Sequence, residues 1–196
     1  MDALYDLLKF LHVMSFVFMS VPLFNLIVVN ERALLGKSFD YYADRYMENI
    51  IKHGAYRCYV FQLTALITGV LLLVLGPLGI RAVWTSWVII VKIALLLFLM
   101  GMLSYVHFRL QPRIESILSN FNADSVVPND LPSQLKPHRV RRKRMATICL
   151  FLVITTIILG LQVYRSFNPL LTLILIALAG LFSLKVNKTL MRFGWV

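Results

Sequence analysis

Five long apolar runs constrain the fold of this chain more than any other feature. Crossing the ~30 Å hydrocarbon core of a bilayer takes about 20 helical residues, and lipid leaves a spanning segment few alternatives to the helix. The runs are Leu7–Val29, Ala55–Leu75, Val83–Tyr105, Ala146–Tyr164 and Leu170–Lys185. The fifth is short enough to end as an interfacial helix. We therefore expect an all-α integral membrane protein, a bundle of four to five transmembrane helices forming one domain over residues 1–196.

The basic residues are distributed unevenly between the predicted spans. The chain has 20 Lys and Arg residues against nine Asp and Glu. Most of the basic residues lie in or beside the connecting segments 30–54 and 106–145 and the C-terminal tail. The side of the membrane with more Lys and Arg in its loops is the cytoplasmic side. This asymmetry predicts that the N-terminus lies outside and the C-terminus lies in the cytoplasm.

Two of the connecting segments carry patterns of their own. Ser38–His53 is weakly amphipathic, and we expect it to run along the inner membrane surface. Its apolar face holds Phe39, Tyr42, Tyr46 and Ile50, and its acidic face holds Asp40, Asp44 and Glu48. Ser119–Pro137 is rich in turn-forming residues and is expected to be an irregular loop.

The basic run His138–Arg144 directly precedes the fourth predicted span. We interpret it as a topology signal that also touches anionic lipid. Nucleic acid is not an expected partner, because no aromatic stacking platform accompanies these charges.

One charge and one imidazole lie inside the predicted membrane region. Lys92 is the only charged residue within Val83–Tyr105, and such a residue costs a few kcal/mol at that depth. His12 lies near the start of the first span, and the topology places both residues in the same half of the bilayer. Both are candidate functional residues. The structural alternatives are a snorkelling lysine and a histidine hydrogen-bonded to a neighbouring helix.

A haem site would account for both residues. A neutral imidazole is a common axial ligand of haem iron, so His12 is the candidate ligand. Lys92 could neutralise a propionate or serve, when deprotonated, as a second ligand. Other residues expected at this depth are Ser15, Met19, Thr68 and Gly69. His53 and His107 lie at the opposite membrane face and form a possible second metal site.

Sulphur-containing residues give a weaker pattern. Thioethers suit Cu(I), and Met14, Met19, Met100 and Met102 lie within the spans. No clustered methionine–histidine motif accompanies them, so copper transport ranks last among the functions considered. The two cysteines, Cys58 and Cys149, are expected to be small buried apolar residues.

Short motifs in the first half of the chain resemble a group of small bacterial membrane proteins. Leu7-Leu-Lys-Phe-Leu-His-Val13 and Trp87-Val-Ile-Ile-Val-Lys92 resemble elements of the HemJ-type protoporphyrinogen oxidases and of the CopD membrane domain. Val21-Pro-Leu-Phe24 and Tyr46-Met-Glu48 are loosely similar to two further elements. The resemblance implies a haem-binding role for His12, an essential role for Lys92, and a location in the bacterial cytoplasmic (inner) membrane as a multi-pass protein.

Three functions follow from these observations. The first is a membrane haem b protein in electron transfer, an oxidoreductase component that works with other membrane subunits of a redox complex. The second is a non-catalytic accessory subunit in which His12 and Lys92 bond to a neighbouring chain. The third is a HemJ-like porphyrinogen oxidase. Because no carboxylate lies within a predicted span, catalysis by this chain alone is not expected.

Overall fold

The computed structural model describes residues 2–35, 41–119, 130–164 and 167–189. In chain order the helices are α1 (Asp2–Leu35), α2 (Tyr41–Leu75), α3 (Ala82–Thr85), α4 (Trp87–Tyr105), α5 (Gln111–Ser119), α6 (Leu131–Gly160) and α7 (Pro169–Thr189). A π-helical segment, Val106–Leu110, connects α4 to α5. Five of the helical rods are long and apolar enough to cross a membrane, and the described residues contain no strand. The predicted all-α membrane fold is confirmed.

The fifth rod is longer than the sequence suggested. It provides a candidate span of 20 residues, Pro169–Lys188, where the hydropathy pattern predicted a shorter run ending at Lys185. At 1.5 Å per residue this is about 30 Å, the thickness of the hydrocarbon core. The count of spanning helices is therefore five by length and composition.

Two helices continue well beyond their predicted spans. Residues 41–54 extend α2 and residues 131–145 extend α6, each by about 20 Å. The expectation of an irregular loop up to Pro137 is therefore wrong from Leu131 onward, while residues 120–129 lie outside the described part of the chain. Pro132 lies in the first turn of α6 and is compatible with a helix start, because its missing N–H would have no partner there, whereas Pro137 lies inside the helix.

The helix α6 lies at the centre of the bundle. It packs against α1, α4 and α7, and α1 also packs along α2. The principal core is apolar and includes Phe16, Ile27, Leu99 and Val153. A smaller cluster joins α5 to the start of α6, formed by Ile114, Leu118, Leu131 and Leu135.

The acidic face at the start of α2 is buried in the bundle, which its amphipathic pattern did not predict. Tyr42 and Tyr46 are 72% and 69% exposed, whereas Asp44 and Glu48 are buried. The segment is the first part of one continuous helix and not a separate interfacial helix. Its acidic face is turned inward because cations on another helix pair with it. Phe39 and Asp40 lie outside the described residues.

Candidate functional site

Polar side chains lie at two levels of the bundle. Near the start of α1, the Tyr5 hydroxyl is 2.5 Å from the Tyr164 hydroxyl and packs close to Gly76; we call this the Tyr5 end. At the opposite end, Glu48 of α2 meets Arg142 of α6; we call this the Glu48 end. The residues predicted to form a haem site belong to the Tyr5 half of the bundle.

The imidazole of His12 is held by α2. Its Nδ1 lies 3.0 Å from the Ala65 carbonyl oxygen and 3.1 Å from Thr68 Oγ1. The Thr68 hydroxyl donates its own hydrogen to the Thr64 carbonyl, at 2.6 Å. Because a carbonyl oxygen can only accept, Nδ1 carries a hydrogen and donates it. In the neutral ring this leaves the lone pair on Nε2, which has no hydrogen-bond partner among the described residues.

Two neighbours fix the position of this ring. A Cβ built on Gly69 would lie 3.1 Å from His12 Cε1, so the absence of a side chain there admits the imidazole. Phe16 packs edge-on against the other side, with ring centroids 5.4 Å apart and an interplanar angle of 78°. The group that packs over Gly69 is therefore His12 itself.

The ammonium of Lys92 comes to the same region. Its Nζ lies 6.0 Å from the centroid of the Phe16 ring, so Phe16 contacts both His12 and Lys92. A Cβ on Gly160 would lie 3.4 Å from Nζ, which places the ammonium beside the last residue of α6. A helix C-terminus favours a cation. Among the described residues the ammonium has no hydrogen-bond acceptor, and both Lys92 and His12 are only partly buried.

Two of the predicted site residues have other roles. The Ser15 hydroxyl donates to the backbone carbonyl of His12 at 2.7 Å, a contact within α1 that leaves the imidazole free. Met19 is fully buried in the principal core, further along the helix. The structure therefore brings together His12, Thr68, Gly69 and Lys92. Whether these residues bind a cofactor stays a prediction.

The second histidine pair is not assembled. His53 is exposed, and its Nδ1 lies 2.8 Å from the Asn49 carbonyl of its own helix. The His107 ring lies in the π-helical segment and packs edge-on against Tyr56 and Tyr59. No contact between the two imidazoles is present among the described residues. Likewise, the described residues contain no group of three or more His, Cys, Asp or Glu side chains that could hold a metal ion.

A buried charged cluster occupies the Glu48 end. The guanidinium of Arg142, 1% exposed, forms a bidentate pair with Glu48 at 2.6 and 2.9 Å. It also donates to Asn30 Oδ1 at 2.8 and 3.1 Å and to Gln111 Oε1 at 2.6 Å. Gln111 in turn donates to Glu48 at 3.0 Å. This Arg142 cluster ties α1, α2, α5 and α6 together.

A second arginine extends the Arg142 cluster. Arg139 is buried one turn earlier on α6 and pairs with Asp44 at 3.0 Å and with Glu48 at 3.4 Å. The interpretation of His138–Arg144 as a lipid-facing topology signal is therefore wrong for these two residues, while Arg141 and Arg144 are exposed. The sequence does carry a signal for the burial of these two arginines, in their helical spacing with apolar residues. Leu135, Arg139, Arg142, Ala146 and Cys149 recur every three or four residues and form one buried face.

The cavities of the bundle limit what it can enclose. Two narrow cavities of about 30 Å³ each adjoin Cys58, and neither is lined by His12 or Lys92. Pockets for drug-sized ligands and cofactors measure roughly 300–1,000 Å³, so neither cavity can hold a porphyrin. A haem bound by His12 must lie against the partly exposed side of the site.

These features define a five-helix membrane protein with a histidine–lysine site near one end and a buried arginine cluster near the other. No protein-family profile, curated protein or solved structure matches the chain. Its function is therefore argued from the site alone.

Proposed function

We propose that this chain is a haem b-binding subunit of a membrane redox complex. His12 is the axial ligand, and Lys92 is the partner of a haem propionate. Haem, when bound, supplies one-electron transfer. The observation that carries the proposal is the hydrogen bond from His12 Nδ1 to the Ala65 carbonyl.

That hydrogen bond gives His12 the arrangement of a metal ligand. Imidazoles that bind metals usually donate the other ring N–H to a carbonyl or carboxylate, which fixes the tautomer and the ring orientation. The Ala65 carbonyl and Thr68 hydroxyl provide this support, and Gly69 allows the ring to reach them. The remaining nitrogen, Nε2, is then available to iron.

Lys92 supports the same proposal through its lack of an acceptor. A cation in the membrane region normally pairs with an anion or a carbonyl, because leaving it unpaired costs free energy. Phe16 and the end of α6 offset part of this cost. A propionate carboxylate would supply the missing acceptor, and the ammonium would hold that carboxylate near His12.

The partly exposed position of the site suggests a shared pocket. Because neither of the two cavities described above can hold a porphyrin, we place its far face against lipid or another protein. A neighbouring membrane subunit would cover it and exchange electrons with it. We place this complex in the bacterial cytoplasmic membrane, with the Tyr5 end outside, as the basic residues of the connecting segments indicate.

An absorption experiment tests the proposal. We expect the purified chain, expressed with its neighbouring genes, to show a reduced-minus-oxidised b-type spectrum with one haem per chain by pyridine haemochrome. His12→Ala should abolish the spectrum. Gly69→Ala should lower haem content, because its new methyl group would lie 3.1 Å from His12 Cε1 and would push the imidazole away from the Ala65 carbonyl by a few tenths of an ångström.

The matched control is Gly101→Ala, since nothing lies within 4 Å of a Cβ at Gly101. Lys92→Met should keep the axial ligand but lower haem retention or shift the reduction potential. A colourless wild-type protein, or a His12→Ala variant with full haem content, would refute the axial-ligand assignment.

The ammonium of Lys92, unpaired among the described residues, also supports a second candidate function. In a non-catalytic accessory subunit, Lys92 would pair with a carboxylate of a partner helix and not with a propionate. This function predicts a colourless complex from which Lys92→Met, but not Gly101→Ala, releases the partner subunit.

A further inference from the structure

Sulphur atoms from four helices line one buried cavity. The cavity measures about 30 Å³ and lies in the principal core, away from the His12 site. This space holds about two water molecules or one metal ion. Its sulphur-bearing lining residues are Met19 of α1, Cys58 of α2, Met102 of α4, and Met145 and Cys149 of α6.

The closest measured pair has the spacing of two ligands on one ion. Cys149 Sγ lies 3.8 Å from Met102 Sδ, a weak S–H···S contact as it stands. If each sulphur lay about 2.3 Å from a metal ion, this separation would correspond to an S–metal–S angle of about 110°. That angle suits trigonal or tetrahedral coordination, so this pair could hold an ion without moving apart.

A polar atom in the same lining lacks a partner. The Oε1 atom of Gln62 is buried with no hydrogen-bond partner among the described residues, and Gln62 lines this cavity. An unsatisfied buried acceptor costs about 1–3 kcal/mol, which a bound ion or its water would recover. The sulphur atoms and this oxygen therefore line the same small cavity.

We propose that this cavity binds one Cu(I) ion through Cys149 and Met102, with Cys58 and Met19 as further sulphur ligands. Thiolates and thioethers together select Cu(I) over harder divalent ions. Cu(I) with one thiolate has no net charge, which suits an apolar interior. Binding breaks the S–H bond of Cys149, forms a Cu–S bond and releases the proton to water; Cys58 keeps its proton and acts as a neutral thiol, and copper stays in the Cu(I) state.

A second cavity of about 30 Å³ adjoins the first. It shares Leu23, Cys58 and other lining residues with the first and extends toward Lys52 and Gln111 at the Glu48 end. His107 also lines it, and the buried Nδ1 of His107 has no hydrogen-bond partner among the described residues.

A competition titration tests the proposal. The full-length chain in detergent, free of haem and kept anaerobic, is titrated with Cu(I) against bicinchoninate. We expect one Cu(I) per chain. Cys149→Ala and Met102→Leu should each weaken binding at least tenfold. Met14→Leu and Met100→Leu are the matched controls, because neither residue lines the cavity, and they should bind as wild type.

X-ray absorption of the loaded protein should show sulphur neighbours at about 2.3 Å. His12→Ala should bind Cu(I) normally, so failure of the haem proposal would leave this one standing. Absence of competitive binding would overturn it, as would equal affinity in the Cys149→Ala, Met102→Leu and control variants.

Discussion

The Arg142 cluster makes the most quantitative prediction. Arg142→Met preserves most of the aliphatic length but removes five hydrogen bonds, to Asn30, Glu48 and Gln111. It leaves the Glu48 carboxylate buried with Gln111 and the more distant Arg139. Removing one partner of a buried ion pair costs about 3–5 kcal/mol of folding free energy. This cost lowers the ratio of folded to unfolded protein by a factor of about a hundred to a few thousand.

The matched control is Arg144→Met. It removes the same charge from the same basic run, two residues away, but Arg144 is exposed. We expect it to change the free energy of unfolding by no more than about 0.5 kcal/mol. The comparison separates burial of the guanidinium from the contribution of positive charge to membrane topology, which both substitutions reduce equally.

Unfolding in mixed micelles, titrated with SDS, measures both variants. A double-mutant cycle with Glu48→Gln then isolates the pair. Because Glu48→Gln removes the unpaired carboxylate, the double variant should be more stable than Arg142→Met alone, with a coupling energy of about 1–3 kcal/mol. Equal destabilisation by Arg142→Met and Arg144→Met, or a coupling energy near zero, would refute the reasoning.

Two further predictions concern the Tyr5 end. Gly76→Ala should destabilise the bundle by several kcal/mol in the same SDS titration. Its Cβ would collide with the Leu72 carbonyl oxygen and the Tyr5 side chain. A loss of stability as small as that of a substitution into open space would contradict this packing. Tyr5→Phe and Tyr164→Phe should each cost about 0.5–1.5 kcal/mol and should not be additive, since they remove the same hydrogen bond; additive losses would mean that the hydroxyls do not pair.

The sequence predicted the membrane-spanning part of the fold well. Long apolar runs identify the spanning helices directly, because a backbone that crosses lipid must form a helix to satisfy its hydrogen bonds. The sequence placed His12 and Lys92 at a similar depth in the membrane. Both residues were counted along their helices from the same membrane face. Their contact with Phe16 is consistent with that placement, but the hydrogen bond to Ala65 depends on helix rotation, which hydropathy does not report.

The helices beyond the membrane were poorly predicted for a physical reason. Glu48 and Arg142 are each hydrophilic, and a charged residue considered alone is assigned to water. They are buried only as a pair, and pairing is a property of two helices and not of either sequence. Cys149 and Met102 illustrate the same limit, since single sulphur residues are ordinary core residues until packing places them around one cavity.

The Arg142 cluster also sets the order in which the bundle can close. Glu48 and Arg142 are 94 residues apart in the chain. At about 5–20 residues per second, a ribosome makes Arg142 some 5–20 seconds after Glu48. During that interval Glu48 lacks the guanidinium with which it forms its bidentate ion pair. Translation of the first part of α6 then supplies the partner of Glu48, and a chain truncated before Arg142 cannot form the Arg142 cluster.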